Sequence, residues 1–120
     1  MKLEGVKLCF SYNRERILQE LDFQIEKGKL TSIAGPNGIG KSTLIKCISN
    51  VYQPQSGTIC VDNELLHKKS SSELARILGY VPQSQESNFS ITVYEMVLLG
   101  RRPYINWKVK KEDKKIVNSI

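Results

Sequence analysis

Apolar and polar positions alternate along residues 3–10, where Val6, Leu8 and Phe10 fall on one side, and again, more cleanly, along residues 21–26. A period of two marks a strand with one buried face, so both segments are expected as half-buried strands. Between them Ser11-Tyr12-Asn13-Arg14-Glu15-Arg16 is polar enough for an exposed turn. Lys27-Gly28-Lys29 then leads into a short apolar stretch, residues 30–34, expected as a further strand. After this the period changes. Leu44, Cys47, Ile48 and Val51 recur at i, i+3, i+4 and i+7, one apolar face of a helix that should pack on a sheet. Asn50 tolerates the left-handed conformation past a helix end, and Pro54 and Gly57 follow, so the helix is expected to stop near Asn50.

Residues 57–62 read as a strand ending in an Asp62-Asn63 turn, and Ser70-x-x-Glu73 is a capping box opening a short helix through Ile77. Residues 78–82 read as a strand stopped by Pro82. The polar stretch 83–90, with Ser84, Ser87 and Asn88, is expected as a mobile surface loop. Thr92-x-x-Glu95 is a second capping box. Its helix carries Val93, Met96, Val97 and Gly100 on one face, with Leu98 and Leu99 widening the apolar surface, and Arg101-Arg102-Pro103 ends it. A last amphipathic segment begins at Lys110, and there is no internal repeat or low-complexity tract.

The chemistry-bearing segment lies between the apolar stretch 30–34 and the first helix. Gly35-Pro36-Asn37-Gly38-Ile39-Gly40-Lys41-Ser42-Thr43 matches G-x-x-x-x-G-K-[ST], a phosphate-binding loop. Gly35, Gly38 and Gly40 remove the Cβ atoms that would block a tight turn and close approach to a phosphate. The helix beginning near Lys41 adds unpaired first-turn N–H groups and the positive end of its dipole. Lys41 is expected to neutralise the β- and γ-phosphates, and the Ser42 hydroxyl to ligate Mg²⁺.

Composition narrows the class without changing that reading. With 120 residues, 40% of them hydrophobic and 25% charged, the chain is of single-domain length and ordinary globular composition. No apolar run approaches the ~18 residues of a membrane span, and the N-terminus has no signal-peptide core, so a cytoplasmic location is expected. Cys9, Cys47 and Cys60 are widely spaced and read as core thiols, and His67 alone offers little to a metal cluster or a catalytic triad. The net charge of +6 gathers toward the end, at Arg101, Arg102, Lys108, Lys110, Lys111, Lys114 and Lys115. Interrupted by Glu112 and Asp113, it reads as a solvated helix face, and no nucleic-acid partner is expected.

Taken in order, these parts resemble the N-terminal half of an ATP-binding-cassette (ABC) ATPase, the nucleotide-binding subunit of an ABC transporter, over essentially all 120 residues. Gly35 to Thr43 resembles the family's Walker A motif position by position, with Ile39 where many relatives have a smaller residue. Phe10-Ser11-Tyr12 resembles the A-loop, which implies that Tyr12 stacks on adenine. Tyr80-Val81-Pro82-Gln83 resembles the Q-loop, which implies that Gln83 reaches Mg²⁺ and the region of the attacking water and links nucleotide to the transmembrane partner. Residues 92–104 are similar to the opening of the helical subdomain in importers of iron-siderophore, haem or cobalamin.

The resemblance implies an α/β fold: a P-loop NTPase core with an antiparallel β subdomain, truncated before the signature and Walker B segments. Residues 1–29 would form the antiparallel part, 30–82 the P-loop core, and 83–120 the Q-loop and the start of the helical subdomain. It implies ATP and Mg²⁺ as cofactors, a transmembrane permease and a second ATP-binding subunit as partners, and a peripheral place on the cytoplasmic face of the membrane. The signature resembling Leu-Ser-Gly-Gly-Gln, the Walker B carboxylates and the switch histidine have no match here. The 120 residues are therefore expected to bind ATP without hydrolysing it usefully. Alternatives are a truncated, non-catalytic P-loop remnant and a small P-loop kinase or GTPase, for which Asp62 would be the nearest acidic Mg²⁺ partner.

Overall fold

A computed structural model describes residues 1–83, 90–106 and 108–120, in two compact units, Met1–Leu74 and Ala75–Ile120. The expected loop stretch 84–89 lies outside the described residues.

The first unit is built on strands β1 (Lys2–Tyr12), β2 (Glu15–Glu26), β3 (Ser56–Val61) and β4 (Glu64–Leu65), all antiparallel, in the order β2-β1-β3-β4. The turn between the first two strands is tighter than the sequence suggests. Only Asn13 and Arg14 lie outside the ladder, and Asn13 takes a φ of 51°. Asp62 and Asn63, at 50° and 65°, turn β3 into β4 as expected, because both positions of such a hairpin turn need positive φ.

The simple alternation in β1 breaks in the middle. Leu3 and Gly5 are buried, then Leu8 and Phe10, while Val6 is half exposed instead of joining Leu8 and Phe10. Lys7 sits at φ 48° in an irregular stretch of the ladder, and one extra residue there flips which positions face the core. β2 answers with Glu20 at φ 45°, which moves the inward positions from Leu18 to Leu21, Phe23 and Ile25. The two irregularities are tied across: Lys7 N–H donates to Asp22 Oδ1 at 2.6 Å, and Glu20 N–H to Cys9 Sγ at 3.4 Å. Gly57 of β3 passes so close that a Cβ on it would lie 2.3 Å from the Lys7 carbonyl oxygen.

Helix α1 (Lys41–Ile48) packs on this sheet through Thr43, Leu44, Cys47 and Ile48. Its end is as expected: Asn50 takes φ 56°, its N–H reaches the Cys47 carbonyl at 3.0 Å, and Val51 N–H reaches the Lys46 carbonyl at 2.9 Å. That pair of bonds defines a Schellman motif. Val51, past the left-handed residue, leaves the helical face and is exposed.

Two expected strands do not form. Residues 30–34 and 78–82 have no ladder partner among the described residues, and Leu30 is 98% and Val81 91% exposed. An apolar segment becomes a strand only where a neighbouring backbone takes up its N–H and C=O groups.

Helix α2 (Ser71–Ile77) starts at its capping box, with Ser70 N–H donating to Glu73 Oε2 at 2.8 Å. In the second unit, α3 (Val93–Gly100) is capped by Thr92 and Glu95 as expected, and none of its residues is buried. Arg101 Nη2 donates to Asp113 Oδ1 at 3.0 Å, joining the end of α3 to α4 (Lys111–Asn118). Asp113, 4% exposed, also accepts from the Lys110 N–H at 3.0 Å. Arg76 donates to the Pro103 carbonyl at 2.8 Å and, with Arg101, lies over the Tyr104 ring. No helix of the described residues is long and apolar enough to cross a membrane.

Two outcomes test this packing. Gly57→Ala forces a Cβ into the Lys7 backbone at φ 84° and should lower the unfolding free energy by about 1–3 kcal/mol in chemical denaturation. The Lys110 N–H, and after it Arg101, hold Asp113 below the usual carboxylate range. Its contribution is therefore complete above the unfolded value of about 3.9 and is lost as pH falls through the lower folded value. Asp113→Asn should remove that part of the acid transition followed by circular dichroism.

Candidate nucleotide-binding site

The loop expected to cradle phosphate follows directly from the exposed stretch 30–34 and wraps the start of α1. Ile39 N–H turns back to the Pro36 carbonyl at 3.4 Å, and Gly40, at φ 105°, is the left-handed residue from which the helix begins. A side chain at Gly40 would place Cβ 2.8 Å from Ile17 Cγ2 and 3.2 Å from Leu18 Cδ2. The absence of a side chain therefore both permits the turn and seats the helix start against β2.

The first bond of the helix runs from the Leu44 N–H to the Gly40 carbonyl at 2.9 Å. The N–H groups of Lys41, Ser42 and Thr43 consequently have no partner within the helix, and Gly40 provides no side-chain cap. Such N–H groups, at the positive end of the helix dipole and beside a glycine-rich loop, favour an anion. Lys41 Nζ donates to the carbonyls of Gly35 and Pro36, both at 2.7 Å, which holds the ammonium over the loop. Asn37, Gly38 and Ile39 are exposed, as is Ser42 in the first helical turn, whereas Thr43 is buried.

The donor set near the loop is sparse. Among the described residues no group of three or more His, Cys, Asp or Glu could hold a metal. One exposed hydroxyl, that of Ser42, stands beside the anion-favouring N–H groups. This fits an ion held mainly by phosphate oxygens and water, the habit of Mg²⁺, and does not fit a site made wholly of protein ligands.

Tyr12, at the end of β1, belongs to the same unit as the loop. It is 42% exposed, with its ring edge-on to Phe10 at 5.0 Å and to Tyr52 at 5.8 Å between centroids. Hydrogen bonding with Tyr52 and partial burial push the Tyr12 hydroxyl above the usual phenol range, against the Thr43 hydroxyl, which pulls it down. Gln83 lies in the second unit, exposed, at a bend after the intermediate Pro82.

Sequence reasoning missed Tyr52 and Lys46. Lys46 Nζ lies 3.4 Å from the Tyr52 hydroxyl and 5.1 Å from its ring centroid. The available signal was Phe10 and Tyr12 at i and i+2, an aromatic pair on one strand face in need of a third partner.

Comparison with known proteins shows the family. The ABC transporter domain family matches residues 18–120. An uncharacterized ABC transporter ATP-binding protein of Methanocaldococcus jannaschii is 42% identical over 120 residues, covering 100% of this chain and 46% of its own length. The iron(3+)-hydroxamate import ATP-binding protein of Bacillus subtilis is 33% identical over 117 residues, covering 96% of this chain and 44% of its own. A solved ATP-binding subunit of an ABC transporter superposes with a TM-score of 0.77 at 25% identity, over 93% of this chain and 45% of that one. The chain thus spans less than half the length of these relatives. With its phosphate loop, its α/β fold and its antiparallel sheet, the chain belongs to the ABC transporter ATP-binding family.

Proposed function

We propose that this chain is the nucleotide-cradling part of an ABC transporter's ATP-binding subunit, which in its complete form couples ATP binding and hydrolysis to solute transport. The observation that carries the reading is the Gly35–Thr43 loop, with Lys41 held over it and three N–H groups at the start of α1 that have no partner within the helix. Gly35, Pro36, Asn37, Gly38, Ile39 and Gly40 form the cradle, and Lys41 exchanges its two carbonyl partners for β- and γ-phosphate oxygens. Ser42 supplies the hydroxyl for Mg²⁺, which when bound neutralises charge on the phosphates. Thr43 closes the loop from its buried position. Tyr12 offers its ring to adenine, and Gln83 serves the ion and the attacking water.

The proposed solute is of the iron-siderophore, haem or cobalamin type, supported by the import role in the name of the Bacillus subtilis relative. A transmembrane permease and a second ATP-binding subunit are the proposed partners, with the subunit peripheral on the cytoplasmic face. Residues 1–29 are assigned to the antiparallel part, 30–82 to the P-loop core and 83–120 to the Q-loop and the start of a helical subdomain. Hydrolysis is assigned to the complete protein, because residues 1–120 hold no counterpart of the signature, the Walker B carboxylates or the switch histidine.

Lys41→Ala should retain the fold by circular dichroism and lower ATP affinity roughly 100-fold, the weight of lost hydrogen bonds to a charged group. Calorimetric titration checks this, and unchanged affinity would overturn the assignment. In the complete protein, Gln83→Ala should reduce Mg²⁺-dependent turnover about tenfold with affinity for ATP within about twofold, and equal losses in both would count against its role.

A further inference from the structure

The aromatic group at the end of β1 extends beyond the adenine platform. Phe10 and Tyr52 stack with centroids 5.3 Å apart and planes 10° from parallel, and the Tyr12 ring stands at 81° to one and 86° to the other. Tyr52 comes from the segment just past α1, where its N–H is bonded to the Lys46 carbonyl at 3.1 Å. Its hydroxyl lies 3.4 Å from the Lys46 ammonium, and its ring meets the Tyr12 ring with centroids 5.8 Å apart. Lys46 also faces the Tyr52 ring, its ammonium 5.1 Å from the centroid.

Tyr12 is therefore linked to helix α1 through Tyr52 and Lys46. A ring at a strand end, 42% exposed, would otherwise rotate about its own side-chain bonds. Edge contacts with Phe10 and Tyr52 restrict that rotation, and through Tyr52 the orientation of the ring follows α1 as well as β1.

We propose that Tyr52, braced by Lys46, is a positioning residue for the base-binding site: it fixes the Tyr12 ring relative to the phosphate-binding helix, so that base and phosphate subsites are in register. The inference rests on the reading of Tyr12 as adenine platform. Stacking does not require the Tyr52 side chain to touch nucleotide, so its effect should fall on the base-dependent part of affinity.

The test titrates the protein, its Tyr12→Ala variant, and the Tyr52→Ala and Tyr52→Phe variants with ATP and with inorganic tripolyphosphate, both with Mg²⁺. The readout is the ratio of the two affinities. Tyr12→Ala should lower it by roughly 10-fold, the scale of a lost aromatic–base stack. Tyr52→Ala should lower it by a similar factor and leave tripolyphosphate affinity unchanged. Tyr52→Phe, which keeps the stack on Phe10 and removes the hydroxyl, should lower it about fivefold, the scale of one hydrogen bond. Should Tyr12→Ala lower the ratio while either Tyr52 variant leaves it unchanged, the proposal is overturned and the platform reading stands. An equal loss for both ligands in Tyr52→Ala also overturns it, because Tyr52 would then only support the helix end. If Tyr12→Ala leaves the ratio unchanged, the platform reading falls and the inference with it.

Discussion

Everything in the candidate site depends on the contact between Gly40 and β2. The helix start lies so close to Ile17 and Leu18 that no side chain fits, and the backbone there takes a φ of 105° that glycine alone adopts without strain. Once that contact is made, the direction of α1 is set. Thr43, Leu44, Cys47 and Ile48 turn into the core, Ser42 turns outward, and the free N–H groups face the loop. The exposed start of the helix, with first-turn N–H groups that lack partners within it, is thus a by-product of how tightly two backbones approach.

The far end of α1 matters as much as its start. The Schellman bonds at Asn50 and Val51 reverse the chain within a few residues and bring Tyr52 back toward the end of β1. From there Gln55 ties down: its N–H reaches the Cys9 carbonyl at 2.9 Å and its side-chain amide the Ser11 carbonyl at 3.2 Å. A local stop signal therefore has a distant consequence, because it sets which strand the returning chain lies on. The aromatic group around Tyr12 exists only because the helix ends where it does.

The paired irregularities in β1 and β2 show how a sheet can keep its register while changing its face. An extra residue in one strand alone would leave the pairing out of step, but the bulge near Lys7 is matched by Glu20, and Leu8 still pairs with Leu21 and Phe10 with Leu18. The result carries Phe10 inward, where it underlies Tyr52, and leaves Tyr12 partly exposed at the rim.

Much of this molecule is legible residue by residue. The phosphate loop, both Ser/Thr–Glu capping boxes, the left-handed stop at Asn50 and the Asp62-Asn63 turn are local devices, whose chemistry is complete within a few neighbours along the chain. Three things were not. Val6 points outward because a bulge moved the inward face, and a bulge is a property of two strands together. Residues 30–34 and 78–82 have the composition of strands and are not strands, because a ladder needs a second backbone beside the first. Tyr52, itself in contact with Lys46, meets Tyr12 from 40 positions away along the sequence, a meeting that the path of the folded chain alone brings about. The sequence alone determined the local devices and the glycine-rich loop motif, since neighbouring residues suffice for them. Facing, pairing and the packing of the Tyr12 ring were decided by tertiary structure, since each requires a partner that the chain supplies only after it has folded.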